Sequence, residues 1–139
     1  MTKRSLTASG LSRPGGHFAH VTVAEPGGRL VFVSGMSARD SGGVVVGAGD
    51  IAAQSEQVWH NLRTALAAAG ASLDDVARVD VFVRHMSDFE SIQRVRRRYF
   101  TRDLPASTMV EVAMLADPDL LIEVSAIAVV YDGDGADDG

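Results

Sequence analysis

An α+β fold, one sheet of five strands carrying two helices on a single face, is what the sequence predicts, and three observations predict it. The period of the apolar pattern switches between two and 3.6 along the chain, giving the order β-β-α-β-α-β-β. Two helices for five strands is the ratio of a sheet covered on one side. The strands nonetheless carry apolar residues on both faces, as in Leu30-Val31-Phe32-Val33, so the uncovered face calls for a second layer.

Taken in order, residues 1–15 are polar and rich in Ser, Gly and Arg, which reads as a flexible segment. Two strand-like runs follow, FAHVTV at 18–23 and RLVFVSG at 29–35, and the turn signal Pro26-Gly27-Gly28 between them predicts a hairpin. Asp50, at the end of a Gly-rich stretch, can cap a helix in which Ile51, Ser55, Val58, Leu62, Ala65, Leu66 and Ala69 keep the 3.6 period up to Gly70. VARVDVFVRHM, 76–86, alternates and is β-branched, so it reads as a strand. Ser87-x-x-Glu90 has the form of a capping box and opens a second helix running to about Phe100, which Pro105 stops. Two last strands, about 106–114 and 120–130, are joined by the turn Ala116-Asp117-Pro118-Asp119. The acidic Gly/Asp stretch 131–139 reads as a disordered tail, which leaves 16–130 as one domain.

Composition sets the limits. Hydrophobic residues are 46% and charged residues 22% of the 139, a globular balance with enough apolar mass for one core. The net charge of −5 argues against a general phosphate-binding surface, so no nucleic-acid partner is expected. The chain has no cysteine, which excludes disulfides, thiolate zinc sites and a cysteine nucleophile. The first residues lack an apolar signal core and no run approaches the roughly 20 apolar residues of a membrane span, so a soluble, cytoplasmic protein without membrane contact is the expectation.

The last strand defines the two faces. Ile122, Val124, Ala126, Ala128 and Val130 alternate with Glu123, Ser125, Ile127 and Val129, so even the helix-free side is partly apolar. Burial of that side against further copies of the same chain predicts an obligate oligomer, with Ser107, Glu111, Glu123 and Ser125 expected on it, near or between subunits.

The segments RLVFVSGM, AAQSEQVWHNLRTALAAAGASLDDVARVDVFVRHMSDF and LPASTMVEV…LIEVSAIA resemble the Rid family (RidA/YjgF-like proteins), from about Gly16 to Val130. The resemblance implies a chorismate-mutase-like fold with a mixed sheet, assembled as a homotrimer with three pockets between subunits; no cofactor is expected. Its best-known activity is hydrolysis of reactive enamines and imines to a keto acid and ammonia. The family's deaminase motif P-A-R-[ST] holds a substrate carboxylate with its arginine; the matching position here is Ser107. Its second pocket glutamate is replaced by Ser125 in Ile122-Glu123-Val124-Ser125-Ala126, its N-terminal aromatic is Phe18, and its helix asparagine matches Gln93. A serine offers one neutral donor where arginine offers a charged pair, so a standard 2-imino acid is not the expected substrate.

The candidate residues follow. His17 and His20 lie in the segment matching the family's pocket wall and could move protons near neutral pH; surface histidines with no such role are as common. Their H-x-x-H spacing puts them on opposite sides of a strand, so no metal is assigned. Glu111 and Glu123 are the carboxylate candidates, Glu111 also suiting a structural hydrogen bond. Ser107 lacks a visible base and orienter, so it is read with Phe18, Gln93, Met109 and Ser125 as lining the substrate pocket. In Arg94-Val95-Arg96-Arg97-Arg98 the arginines read as a solvated face opposite Ile92, Val95 and Tyr99, and Trp59 as packing. Two functions are thus expected: a Rid-type enzyme acting on a neutral, nitrogenous or carbonyl metabolite by hydrolysis, cyclisation or condensation, or a non-catalytic trimeric module binding a metabolite or protein. An endoribonuclease-type activity is a third.

Overall fold

The Asp50 carboxylate accepts the amide of Ala53 and starts helix α1, Ile51–Ala68, in a computed structural model that describes residues 1–132. Gly70 ends it at φ +73°, a conformation L side chains rarely adopt. The buried stripe is Gln54, Ser55, Val58, Trp59, Leu62 and Leu66, close to the expected one. Around α1 the chain forms strands β1 (Arg4–Leu6), β2 (Val21–Val23) and β3 (Arg29–Ser37), then β4 (Val76–Val83), helix α2 (Phe89–Tyr99), β5 (Ala106–Glu111) and β6 (Ile122–Val130).

The main sheet has the order β3-β6-β4-β5, antiparallel except for β4 and β5, which run parallel because α2 crosses between them. Both helices pack on one side: Val58, Trp59, Leu62 and Leu66 of α1 and Ile92 and Val95 of α2 share a core with Val79, Val81, Val83, Ile122, Val124, Ala126 and Ala128. The α+β class and the single helical face are as the sequence predicts. The other face holds Phe32 beside Ile127, and Phe32 is 71% exposed in the single chain.

The main sheet has four strands rather than the five expected of a single sheet, and several local expectations are corrected as well. The runs at 18–23 and 29–35 form no hairpin; β2 pairs with β1 in a small separate sheet, while β3 pairs with β6 nearly a hundred residues on. The turn signal is real, but it separates strands of different sheets. Residues 1–15 are not all free: besides β1, Lys3 is buried and donates to the carbonyl of Asp103, and Ser5 Oγ donates to Leu104 O at 2.6 Å. The Ser87 box does not form; residues 86–88 make a 3₁₀ turn, α2 starts at Phe89, and Glu111 Oε1 accepts the Met86 amide at 2.8 Å in its place. Finally, the four polar strand residues do not share a face. Parallel pairing sets Ser107 beside Val79 and Glu111 beside Val83, on the helix side, while Glu123 and Ser125 pair with Phe82 and Asp80 on the other. Of the predicted tail, Tyr131 and Asp132 are ordered by Tyr131 Oη donating to Glu25 O and an Arg29–Asp132 ion pair; 133–139 lie outside the described residues.

Candidate functional site

Alternation along β5 turns Ser107 and Met109 to the helix side, beneath α2, whose Phe89, Gln93 and Arg96 recur at i, i+4 and i+7 and so share one stripe. The third wall is the chain entering β2. The Ala19 amide donates to Pro105 O at 2.9 Å and docks this segment beside the start of β5, bringing Gly15 and Phe18 over the gap. These residues line a half-open cavity of about 280 Å³, just below the roughly 300–1,000 Å³ usual for ligand pockets.

Gln93 is buried and ties α2 to this wall, its Oε1 accepting the His17 amide at 2.8 Å. Gly16 makes room for that contact, because a Cβ there would lie a tight 3.1 Å from the Gln93 carboxamide. Gln93 Nε2 makes no hydrogen bond among the described residues. His17 Nε2 lies 2.6 Å from the Phe100 carbonyl, which only accepts, so this nitrogen carries the proton. His20 Nδ1 accepts the Ala8 amide at 3.0 Å while its Nε2 donates to Ser12 O at 2.8 Å. Both imidazoles therefore hold backbone, and neither lines the cavity.

The residue that sequence reasoning missed is Arg96. It is 1% exposed rather than solvated; its Nη1 donates to Ser107 Oγ at 3.1 Å, and its Nε and Nη2 are buried without a hydrogen-bond partner. The guanidinium carbon lies 5.7 Å from the Trp59 ring centroid and 5.8 Å from that of Phe100. Burial pushes its pKa down to about 10, with no carboxylate acting against the shift. Arg94, Arg97 and Arg98 are exposed as expected, so of the four arginines in the basic run Arg96 alone turns inward. Its helical spacing from Phe89 and Gln93 was the available signal.

The structure thus brings Phe18, Gln93, Ser107 and Met109 together, adds Arg96, and does not bring in the others. Glu111 serves the 3₁₀ turn, while Glu123 packs against Gly35, where a Cβ would collide with its carboxylate. Ser125 is on the opposite face from the cavity. Among the described residues, no three His, Asp or Glu side chains converge as a metal site would need. A broader open groove of about 700 Å³ lies between α1 and the end of β3; there Asn61 Nδ2 already donates to Ser37 O and Arg39 O, and Gln57 Nε2 to Asn61 Oδ1. The smaller, half-open cavity, with unspent donors, is the better candidate. Its chemistry is uniform: a hydroxyl, a carboxamide and a guanidinium over the apolar walls of Phe18, Phe89 and Met109, suited to an oxygen-bearing small molecule.

Comparison with known proteins gives a consistent picture. The family model described as endoribonuclease L-PSP matches residues 11–130. The 3-aminoacrylate deaminase RutC of Acinetobacter baylyi is 35% identical over 130 residues, 94% of this chain and 100% of that protein. A RutC family protein of Pyrococcus horikoshii is 40% identical over 101 residues, 73% of this chain and 79% of that one. Among solved structures, the Rid-family protein YyfB of Yersinia pestis superposes with a TM-score of 0.84 at 30% identity, covering 94% of this chain and 100% of the other.

Proposed function

The chain belongs to the endoribonuclease L-PSP family, that of the Rid and RutC proteins it matches, and from that premise we propose that its cavity beneath α2 binds a small nitrogenous or carbonyl metabolite and promotes hydrolysis of a C=N bond. The observation that carries this reading is the cavity lining: Gln93, Arg96 and Ser107 donate, and no carboxylate or imidazole faces them. Such a pocket suits a substrate that is already activated. A protonated imine is electrophilic at neutral pH; water adds to its carbon, a proton passes from the added water to the nitrogen, the C–N bond breaks, and the carbonyl compound leaves with ammonium. The donors hold the substrate's oxygen atoms and the apolar walls orient the C=N group, which is catalysis by positioning. The RutC relative, by its name a deaminase, supports the reaction class.

In this reading the open sheet face is covered by two further copies in a homotrimer, because exposed Phe32 and Leu30 are costly in an isolated chain.

The test is ammonia release from imines generated in situ by an amino-acid oxidase, with and without the protein. We expect acceleration over the uncatalysed rate that falls at least tenfold in Met109→Trp, which fills the cavity. No acceleration with any imine at micromolar protein would overturn the hydrolytic reading. A second reading, a non-catalytic metabolite-binding module, is favoured by one observation: both histidines and Glu111 are committed to backbone hydrogen bonds. An endoribonuclease function finds less support, since exposed Arg98 is paired with Glu56 and no exposed aromatic accompanies the basic run.

A further inference from the structure

Burying a charge is expensive unless a partner or a ligand balances it. Lys3 and Arg96 are the two basic side chains buried in the described chain. Lys3 has the Asp103 carbonyl and the nearby carboxylates of Asp103, Asp74 and Asp75. Arg96 has no acid at all; one neutral hydroxyl and the faces of Trp59 and Phe100 are its surroundings, and two of its nitrogens make no hydrogen bond. A helix residue whose side chain is 1% exposed, cationic and unpaired would serve stability better as a methionine or leucine.

The cavity explains the arrangement. Ser107 Oγ accepts from Arg96 Nη1, so its own hydroxyl hydrogen is left to donate onward, with the guanidinium charge directly behind it. Gln93 spends its oxygen on the His17 amide, which leaves its NH₂ for the cavity. Two donor groups backed by one positive charge, with no carboxylate beside them, fit an anionic oxygen group; the Phe18, Phe89 and Met109 walls and a volume of about 280 Å³ fit a short, flat apolar remainder.

We propose that Arg96, acting with Ser107 and Gln93, is the anion-recognition group of this cavity, and that its ligands are small monocarboxylates. The charge absent from the strand at position 107 is supplied from helix α2, so the expectation of a neutral substrate is replaced. The inference deepens the small-molecule reading above and rests on it for the location of the site, but not on turnover.

The experiment compares crotonate with crotonamide, which share size and shape and differ in charge, by titration monitored through the Met109 methyl and Gln93 side-chain NMR signals of the full chain. Crotonate is expected to bind at least tenfold more tightly than crotonamide. That preference should fall below threefold in Arg96→Met and recover in part in Arg96→Lys. Ser107→Ala, which leaves the buried charge in place, should weaken crotonate at least threefold and serves where Arg96→Met fails to fold. Equal binding of the two ligands, or a preference that survives Arg96→Met, overturns this inference and leaves the small-molecule reading standing. Binding of neither ligand overturns both.

Discussion

Arg96 Nη1 donates to Ser107 Oγ at 3.1 Å, and this is the one hydrogen bond that the buried guanidinium makes among the described residues. The pair links a helix to the strand beneath it and leaves a charge with no acid to answer it.

Removing that charge should therefore stabilise the ligand-free protein. Arg96→Met keeps the length of the side chain, forfeits the cation–π contacts and relieves the burial of an unpaired cation, and is expected to raise the unfolding free energy by about 1–3 kcal/mol. The pH dependence has a definite sign. Arg96 is held at about 10 in the folded chain, well below the ordinary range of a guanidinium, so above pH 10 the folded state loses the proton while the unfolded state keeps it. Stability of the original protein then rises with pH relative to the variant. Urea titrations should show a constant gap between the two from pH 7 to 9 that begins to close above pH 10; a variant less stable than the original at pH 7 would contradict the account.

His20 holds backbone at both ring nitrogens, to Ala8 N and Ser12 O. Replacing it with Ala should speed hydrogen exchange of the Ala8 amide by at least tenfold while imine turnover changes by less than threefold. A rate loss of the ~10²–10⁴ that a general acid or base contributes would restore the histidine to the catalytic machinery.

Phe32 stands out on the helix-free face, 71% exposed beside Ile127. A lysine there should cost little in the isolated chain and much between copies. Sedimentation should show Phe32→Lys as a monomer where the original sediments as a trimer; an original protein that is itself monomeric at micromolar concentration would remove the covered-face argument.

Gln54 is fully buried on α1. Its Nε2 donates to Asp119 O at 2.7 Å and its Oε1 accepts the Leu121 amide at 2.7 Å, so one side chain satisfies the loop that leads into β6. Gln54→Leu strands both backbone groups and should lower stability by about 2–4 kcal/mol in denaturant titration, since each buried unsatisfied group costs roughly 1–3 kcal/mol.

The two helices and the strands from β2 onward were legible because their signals are local: the Asp50 cap, the stripe through Val58, Leu62 and Leu66, the alternation of 76–83; β1, three residues in a polar segment, was not. Strand partners were not. Pro26-Gly27-Gly28 announces a turn, yet nothing beside it says that β3 will pair with β6 across the length of the chain. The facing of Ser107 was hidden for the same reason. Alternation fixes which residues of β5 agree with each other, but its phase against the sheet comes from the pairing of Val79 with Ser107, a register no single strand contains. Phe18, Gln93, Ser107 and Met109 could be grouped from the family resemblance. Arg96 could not, because four arginines in five residues look like a solvated face until the turn from Gln93 is counted.

Trp59 is the single tryptophan of the chain, it is fully buried, and the Arg96 guanidinium lies 5.7 Å from its ring. A positive charge against an indole shifts the energy of its excited state. The protein thus carries its own optical gauge: emission selected at the tryptophan band will respond to any anion that settles on Arg96, so occupancy of the cavity can be followed in unlabelled protein by fluorescence, even for compounds that undergo no reaction there.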